Sequence, residues 1–207
     1  INCEKTFRWR ERLCCSIQGQ KVKEIMKRNK TMLNSKNKNI IFIGFMGVGK
    51  GTIARAFARE INRFSLDTDD LIESMENRKI KDIFAQEGEA YFRKLEKKTA
   101  KWLEKNAKKA IISTGGGFFK VKNLEKIGTI VYLQSSFEGI LKRLKEHEKA
   151  DLKLAKRPLL ADLEKAKKLF CERRFLYEAK ADIIVDVENR NVEEIVADLA
   201  ILFKKSH

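Results

Sequence analysis

The chain has 207 residues, 43% hydrophobic and 36% charged, with a formal net charge of +16. That length and composition suit one globular domain with a sizeable core, and no apolar run approaches the roughly 20 residues of a membrane-spanning helix. Four cysteines without zinc-ligand spacing, and only two histidines (His147 and His207), exclude a zinc-finger pattern and argue against catalysis by a buried histidine; the cysteines read as reduced thiols of a soluble, cytoplasmic protein.

Half of the net charge sits in residues 1–39, which hold 11 Lys/Arg and 3 Asp/Glu. Residues 1–38 show no sustained period of 2 or 3.6 and no signal-peptide apolar region. They read as a disordered, non-catalytic extension ahead of the natural start, with Met26 or Met32 as candidate initiators. A basic arm for nucleic acid is the alternative. From Asn39 the pattern becomes regular. "NIIFIG" is a continuous apolar run, as in a strand buried on both faces. "KGTIARAFAREI" follows with helical spacing, then a strand at 64–67 and helices over 69–78 and 80–106. A third strand covers 110–114 and a fourth 128–133. Helices over 137–148 and 163–181, a strand at 182–187 and a terminal helix from 191 complete the chain. Strands alternating with helices predict βαβ units, a parallel sheet and a single domain over 39–207.

The turn after the first strand, "GFMGVGKGT", matches a phosphate loop at Gly44, Gly49 and Lys50. Glycines there let backbone amides wrap a phosphate at a helix N-terminus, and Lys50 would reach the outer phosphates. Gly51 breaks the pattern: it lacks the hydroxyl that ordinarily ligates Mg²⁺. Thr52 supplies one a residue later.

Further carboxylates are needed at neighbouring strand ends, where ligands of open α/β sheets bind. "LDTDD" provides Asp67, Asp69 and Asp70. One carboxylate can hold Mg²⁺ through water while the other accepts a proton from a substrate hydroxyl. The plainer role, capping the next helix, is expected of Asp70. "STGGG" exposes backbone amides and leaves room for a small substrate. Arg93 and Glu96 lie three apart on one helix face. Arg157, in the polar segment 147–160 with the chain's one proline, fits a mobile lid that brings positive charge to the phosphates.

Together "GFMGVGKGTIA", "LDTDDLIE", "IKDIFAQEGEAYFRKLE", "ISTGGG", "KRPLL" and "ERRFLYEAKADIIVD" resemble shikimate kinase in order and spacing. The resemblance covers about residues 39–207. It implies a three-layer P-loop kinase fold, with a five-stranded parallel sheet of order 2-3-1-4-5 flanked by helices and a lid. It implies ATP and Mg²⁺ as cofactors, shikimate as acceptor at its 3-hydroxyl, and a place in chorismate biosynthesis. Carried over residue by residue, Gly47, Val48, Gly49, Lys50, Gly51 and Thr52 form the ATP loop. Asp67, with Thr52, holds the metal. Asp69, Arg93, Gly115, Gly116, Gly117 and Arg173 bind shikimate, with Glu96 orienting this set and Phe84 and Phe92 lining the pocket. Arg157 is the lid arginine, and Arg143 and Arg190 pack against adenine. Lys50, Asp69 and Arg157 are the expected catalytic residues. The resemblance implies a monomer with no membrane and no specific nucleic-acid partner. "GKGT" itself looks like adenylate kinase, so a nucleoside monophosphate or gluconate kinase stays open, as does a nucleotide-gated nucleic-acid binder.

Overall fold

In the computed structural model of the chain, residues 38–146 and 162–204 are described. The expected disordered extension (apart from Lys38) and the expected lid at 147–160, with Arg157, lie outside the described residues. The order is β1 (Asn39–Ile43), α1 (Lys50–Glu60), β2 (Ser65–Asp67), α2 (Thr68–Glu76), α3 (Ile80–Asn106), β3 (Ile111–Ser113), α4 (Leu124–Ile127), β4 (Gly128–Gln134), α5 (Phe137–Lys145), α6 (Leu163–Lys180), β5 (Ile183–Asp186) and α7 (Val192–Lys204). Among the described residues no helix is long and apolar enough to cross a membrane.

The strands form one sheet in the order β2-β3-β1-β4-β5, as expected, and every pairing is parallel. β1 is buried along its whole length, which accounts for its unbroken apolar sequence: parallel strands covered on both faces do not alternate. At the edge, β5 alternates buried and exposed residues. β1 has β3 on one side and β4 on the other, so the chain reverses its lateral direction there. Such a switch point opens a crevice at the carboxyl ends of the strands. The register levels those ends, since Ser113 of β3 pairs with Phe42 of β1 and with Asp67 of β2.

Helices flank the sheet through aromatic contacts. Phe57 of α1 meets Phe203 of α7 at 5.8 Å between ring centroids. Tyr177 of α6 stacks on Tyr132 of β4 at 5.4 Å. Phe45 packs edge-on against Phe170 of α6 at 5.3 Å. This last pair anchors the start of the phosphate loop in the core.

Two sequence expectations are corrected. The helix over 80–106 is broken at Gly88, where φ 75° and ψ −179° leave helical space; that backbone region is essentially open to glycine alone. The helical period continues on both sides of Gly88, so the break left no trace in the pattern. Second, Asp70 does not cap the helix after β2. The strand stays extended through Asp67, the helix starts at Thr68, and the Asp67 carboxylate accepts from the Asp69 amide at 2.9 Å.

Candidate active site

The phosphate loop runs from the end of β1 into α1. Gly44, Gly47 and Gly49 all have positive φ, and Gly49 (φ 106°) is the N-cap of α1 without any side-chain cap. The first intrahelical bond runs from the Ile53 amide to the Gly49 carbonyl. The amides of residues 50–52 therefore have no helical acceptor and stand at the positive end of the helix, the ordinary arrangement for holding an anion. Val48 is buried and closes the turn with its amide toward the Phe45 carbonyl. The buried Lys50 ammonium donates to the Gly44 and Phe45 carbonyls at 2.8 and 2.9 Å. This cradle lines a cleft of about 1000 Å³, along with Thr52, Asp67, Asp69, Ser113, Gly115 and Gly116.

The three glycines after β3 form a floor, with Gly115 and Gly116 lining the cleft, and each faces a different side chain. A Cβ on Gly115 would stand 2.6 Å from Asp69 Oδ1. Gly116 gives its carbonyl to Arg173 Nη1 at 3.0 Å and to the Tyr177 hydroxyl at 2.6 Å. A Cβ on Gly117 would collide with the Arg93 guanidinium, with Cζ at 2.9 Å. The floor is held from below by Thr114, whose hydroxyl donates to the Phe42 carbonyl, and by Thr68, whose hydroxyl accepts from the Gly115 amide. It also touches the phosphate loop: the Met46 amide nitrogen lies 3.6 Å from a Cβ placed on Gly116. The cradle and the floor are adjacent walls of one site.

Arg93 is fixed by two acids of its own helix. Its Nη1 donates to Glu96 at 2.6 Å, and its Nε and Nη2 donate to Glu89 at 3.0 and 2.7 Å. Glu96 is buried. Burial pushes its carboxyl up and the Arg93 contact opposes this. Phe92 is in the small cluster with Ile72, Ile83 and Leu95, its ring under the Arg93 guanidinium. Phe84 is exposed and packs on Phe92 at 4.7 Å.

Two side-chain atoms among the described residues are buried without a hydrogen-bond partner: Asp69 Oδ1 and Arg173 Nε. Both belong to this site. Native proteins rarely leave such atoms orphaned, and a ligand is one of the standard reasons. One is an acceptor and the other a charged donor, so the pair is complementary to a molecule carrying both a hydroxyl and a carboxylate. Burial, and next Asp67, push the Asp69 carboxyl up to about 7, with Lys50 opposing.

Arg143 reaches from α5 to the carbonyls of Val187 and Arg190, and its Nη1 lies 3.5 Å from a Cβ placed on Gly49. Its guanidinium bridges the phosphate loop and the loop after β5. Arg190 also borders the cleft, but its own guanidinium is turned to Asp198 of α7 at 2.6 Å.

The structure thus brings together the loop residues, Asp67, Asp69, Arg93, Glu96, the three glycines and Arg173. Glu89 and Tyr177 were missed as site residues. Each lies one helical turn from an expected arginine, Glu89 before Arg93 and Tyr177 after Arg173, so i,i+4 spacing could have found both.

A protein-family model described as shikimate kinase matches residues 46–202. A curated shikimate kinase from Helicobacter hepaticus is 42% identical over 148 residues, covering 72% of this chain and 86% of that protein. The chain belongs to the shikimate kinase family. Among solved structures, a shikimate kinase from Aquifex aeolicus superposes with a TM-score of 0.64 at 36% identity, covering 80% of this chain and 96% of the other. The Acinetobacter baumannii shikimate kinase, solved in complex with shikimate, gives 0.71 at 28% identity, covering 86% and 98%. Membership of the shikimate kinase family answers the ambiguity of "GKGT": the glycine at 51 belongs to a shikimate kinase and not to an adenylate kinase.

Proposed function

We propose that this chain transfers the γ-phosphoryl group of ATP to the 3-hydroxyl of shikimate, giving shikimate 3-phosphate and ADP in aromatic (chorismate) biosynthesis. The observation that carries the reading is the pair of orphaned buried atoms. Asp69 Oδ1 needs a donor and Arg173 Nε needs an acceptor, and shikimate supplies hydroxyls and a carboxylate. Arg93, braced by Glu96, gives the carboxylate a second, planar fork. The substrate carboxylate competes with Glu89 for the Nε and Nη2 edge of Arg93.

In this mechanism the residues of the loop 47–52, with Lys50, hold the ATP phosphates. Asp69 orients the acceptor hydroxyl and takes its proton; a carboxyl held near 7 can act both as acceptor and as donor at neutral pH. Arg157 closes from the lid and excludes water, and Arg143 and Arg190 flank the adenine. Phe84 and Phe92 border the acceptor.

A divalent cation fits the site as a passenger of the nucleotide. Asp67 Oδ1 is engaged in capping, while Oδ2 and Ser113 Oγ lie near Gly51, beside the Arg55 guanidinium, and these two oxygens suit Mg²⁺. Among the described residues no three His, Cys, Asp or Glu side chains converge as a resident metal site. Mg²⁺ held by one carboxylate, Thr52, the phosphates and water would neutralise charge on the transferred group. The enzyme works as a cytoplasmic monomer.

The test is ADP release at saturating ATP and Mg²⁺ with shikimate, gluconate, AMP or no acceptor, on the full chain and on a form starting at Met32. Release with shikimate alone, equal in both forms, is expected. Release with AMP or gluconate instead would overturn the acceptor.

A further inference from the structure

Gly51 leaves a niche at the N-terminus of α1. A Cβ built there would be 3.3 Å from Arg55 Nη1, 3.6 Å from Asp67 Oδ2 and 3.6 Å from Ser113 Oγ. Where a serine or threonine side chain would project, this chain has the Arg55 guanidinium close by, with a carboxylate and a hydroxyl beside it. Arg55 is placed there by helical geometry, one turn after Gly51 on the same face of α1. It is exposed and borders the cleft that holds the phosphate cradle. Among the described residues its guanidinium is in no ion pair. Its charge is nevertheless felt by one neighbouring acid: burial, then Asp67 and Glu73, raise the Asp70 carboxyl, and Arg55 draws it back down.

A guanidinium beside a phosphate cradle has a defined electrostatic effect. It attracts the phosphate oxygens, for which its fork is well suited, and it repels a second cation nearby. We propose that Arg55 is a further nucleotide-binding residue, its guanidinium occupying the niche left by Gly51 and contributing there part of the positive charge that phosphate loops of this type otherwise draw from the metal. The inference rests on the phosphate cradle proposed above. It has a thermodynamic consequence. A cation supplied by the protein strengthens binding of metal-free nucleotide and contributes less once Mg²⁺ is present, so Arg55 reduces the coupling between Mg²⁺ and nucleotide. It also makes glycine at 51 part of the arrangement. A side chain there would displace the guanidinium, which is the far end of a flexible stem and moves easily.

The experiment is calorimetric titration of ADP into the full chain, in EDTA and in saturating Mg²⁺, for wild type, Arg55→Met, Gly51→Ser and the double variant. Arg55→Met should weaken ADP binding about fivefold in EDTA, the effect of one charge pair at a partly exposed site, and less than twofold in Mg²⁺. In the Gly51→Ser background the same substitution should cost less than twofold in EDTA, because the serine has already moved the guanidinium out. An equal loss in both buffers would mark Arg55 as merely structural and overturn the proposal. No loss in EDTA would overturn it as well. A loss that Gly51→Ser leaves unchanged would sever Arg55 from the niche and overturn the assignment. Wild type that binds no ADP in either buffer would overturn the cradle itself, a result distinct from all of these.

Discussion

The Asp69 carboxylate lies against the α-carbon of Gly115, with Oδ1 where a Cβ on that residue would come within 2.6 Å. Two loops from different strands meet at this contact. Asp69 comes from the first turn of α2 and Gly115 from the end of β3. Gly115→Ala should therefore push the Asp69 carboxylate out of its place and leave the phosphate cradle alone. Turnover is expected to fall more than about 100-fold, the range of a displaced general base, with ADP affinity within twofold of wild type. Steady-state kinetics beside ADP titration checks this, and an unchanged kcat would show that the contact has no part in the reaction.

Asp69 should also set a pH dependence. Its carboxyl is raised from 3.8 to about 7, so between those values the folded protein keeps a proton that the unfolded chain has lost. Stability of the unliganded protein therefore falls as pH rises through that window and levels off above it. Asp69→Asn removes this cost. At pH 8 the variant should be more stable than wild type by about 1–2 kcal/mol, discounted from the full shift because the residue keeps some contact with solvent. At pH 3 the difference should vanish. Wild-type kcat/KM should rise with pH through about 7, and the variant should lose both that inflection and most of its turnover. Thermal melts from pH 3 to 8 and a pH–rate profile provide the two readouts.

Arg93 is held by Glu96 on one side and Glu89 on the other. Lysine keeps the charge and loses the planar fork. Arg93→Lys is expected to raise the KM for shikimate about tenfold or more while the KM for ATP stays within twofold. Equal changes in both would argue for a general loosening of α3 instead of a carboxylate clamp.

Gly88 interrupts α3 with a backbone conformation that other residues avoid, yet a Cβ there would touch nothing within 4 Å. Its substitution thus isolates conformational strain from steric conflict. Gly88→Ala should cost about 1–3 kcal/mol, measured by denaturant unfolding. A change below about 0.5 kcal/mol would mean that the two arms of α3 straighten at little cost.

The alternation of strands and helices in a parallel sheet was legible because its signals are local, while the strand order came only with the family resemblance. A continuous apolar β1, strands spaced by helical periods and a glycine-rich turn after β1 each act within a few residues. The cradle at Lys50 was legible for the same reason. Pairings that depend on where separate loops meet were not. Nothing in "LDTDD" says that Asp67 caps the helix with one oxygen and turns the other toward Gly51, because that depends on where β2 stops being extended. Nor does "STGGG" say which glycine faces Asp69, Arg173 or Arg93. The role of Arg55 was hidden by its ordinary helical spacing, and shows only against the absence of a side chain at 51.

The glycine floor has a consequence for how acceptor choice can change. Each of its three residues faces a side chain expected to grip the substrate, so any larger residue there moves the grip along with the pocket wall. The floor offers no independent adjustment of pocket depth. Phe84, proposed to border the acceptor, is different: it is exposed, sits ahead of the break at Gly88, and packs its ring on Phe92. Drift toward a bulkier or slimmer hydroxy acid would be written first at residues 80–87, while 115–117 stayed silent.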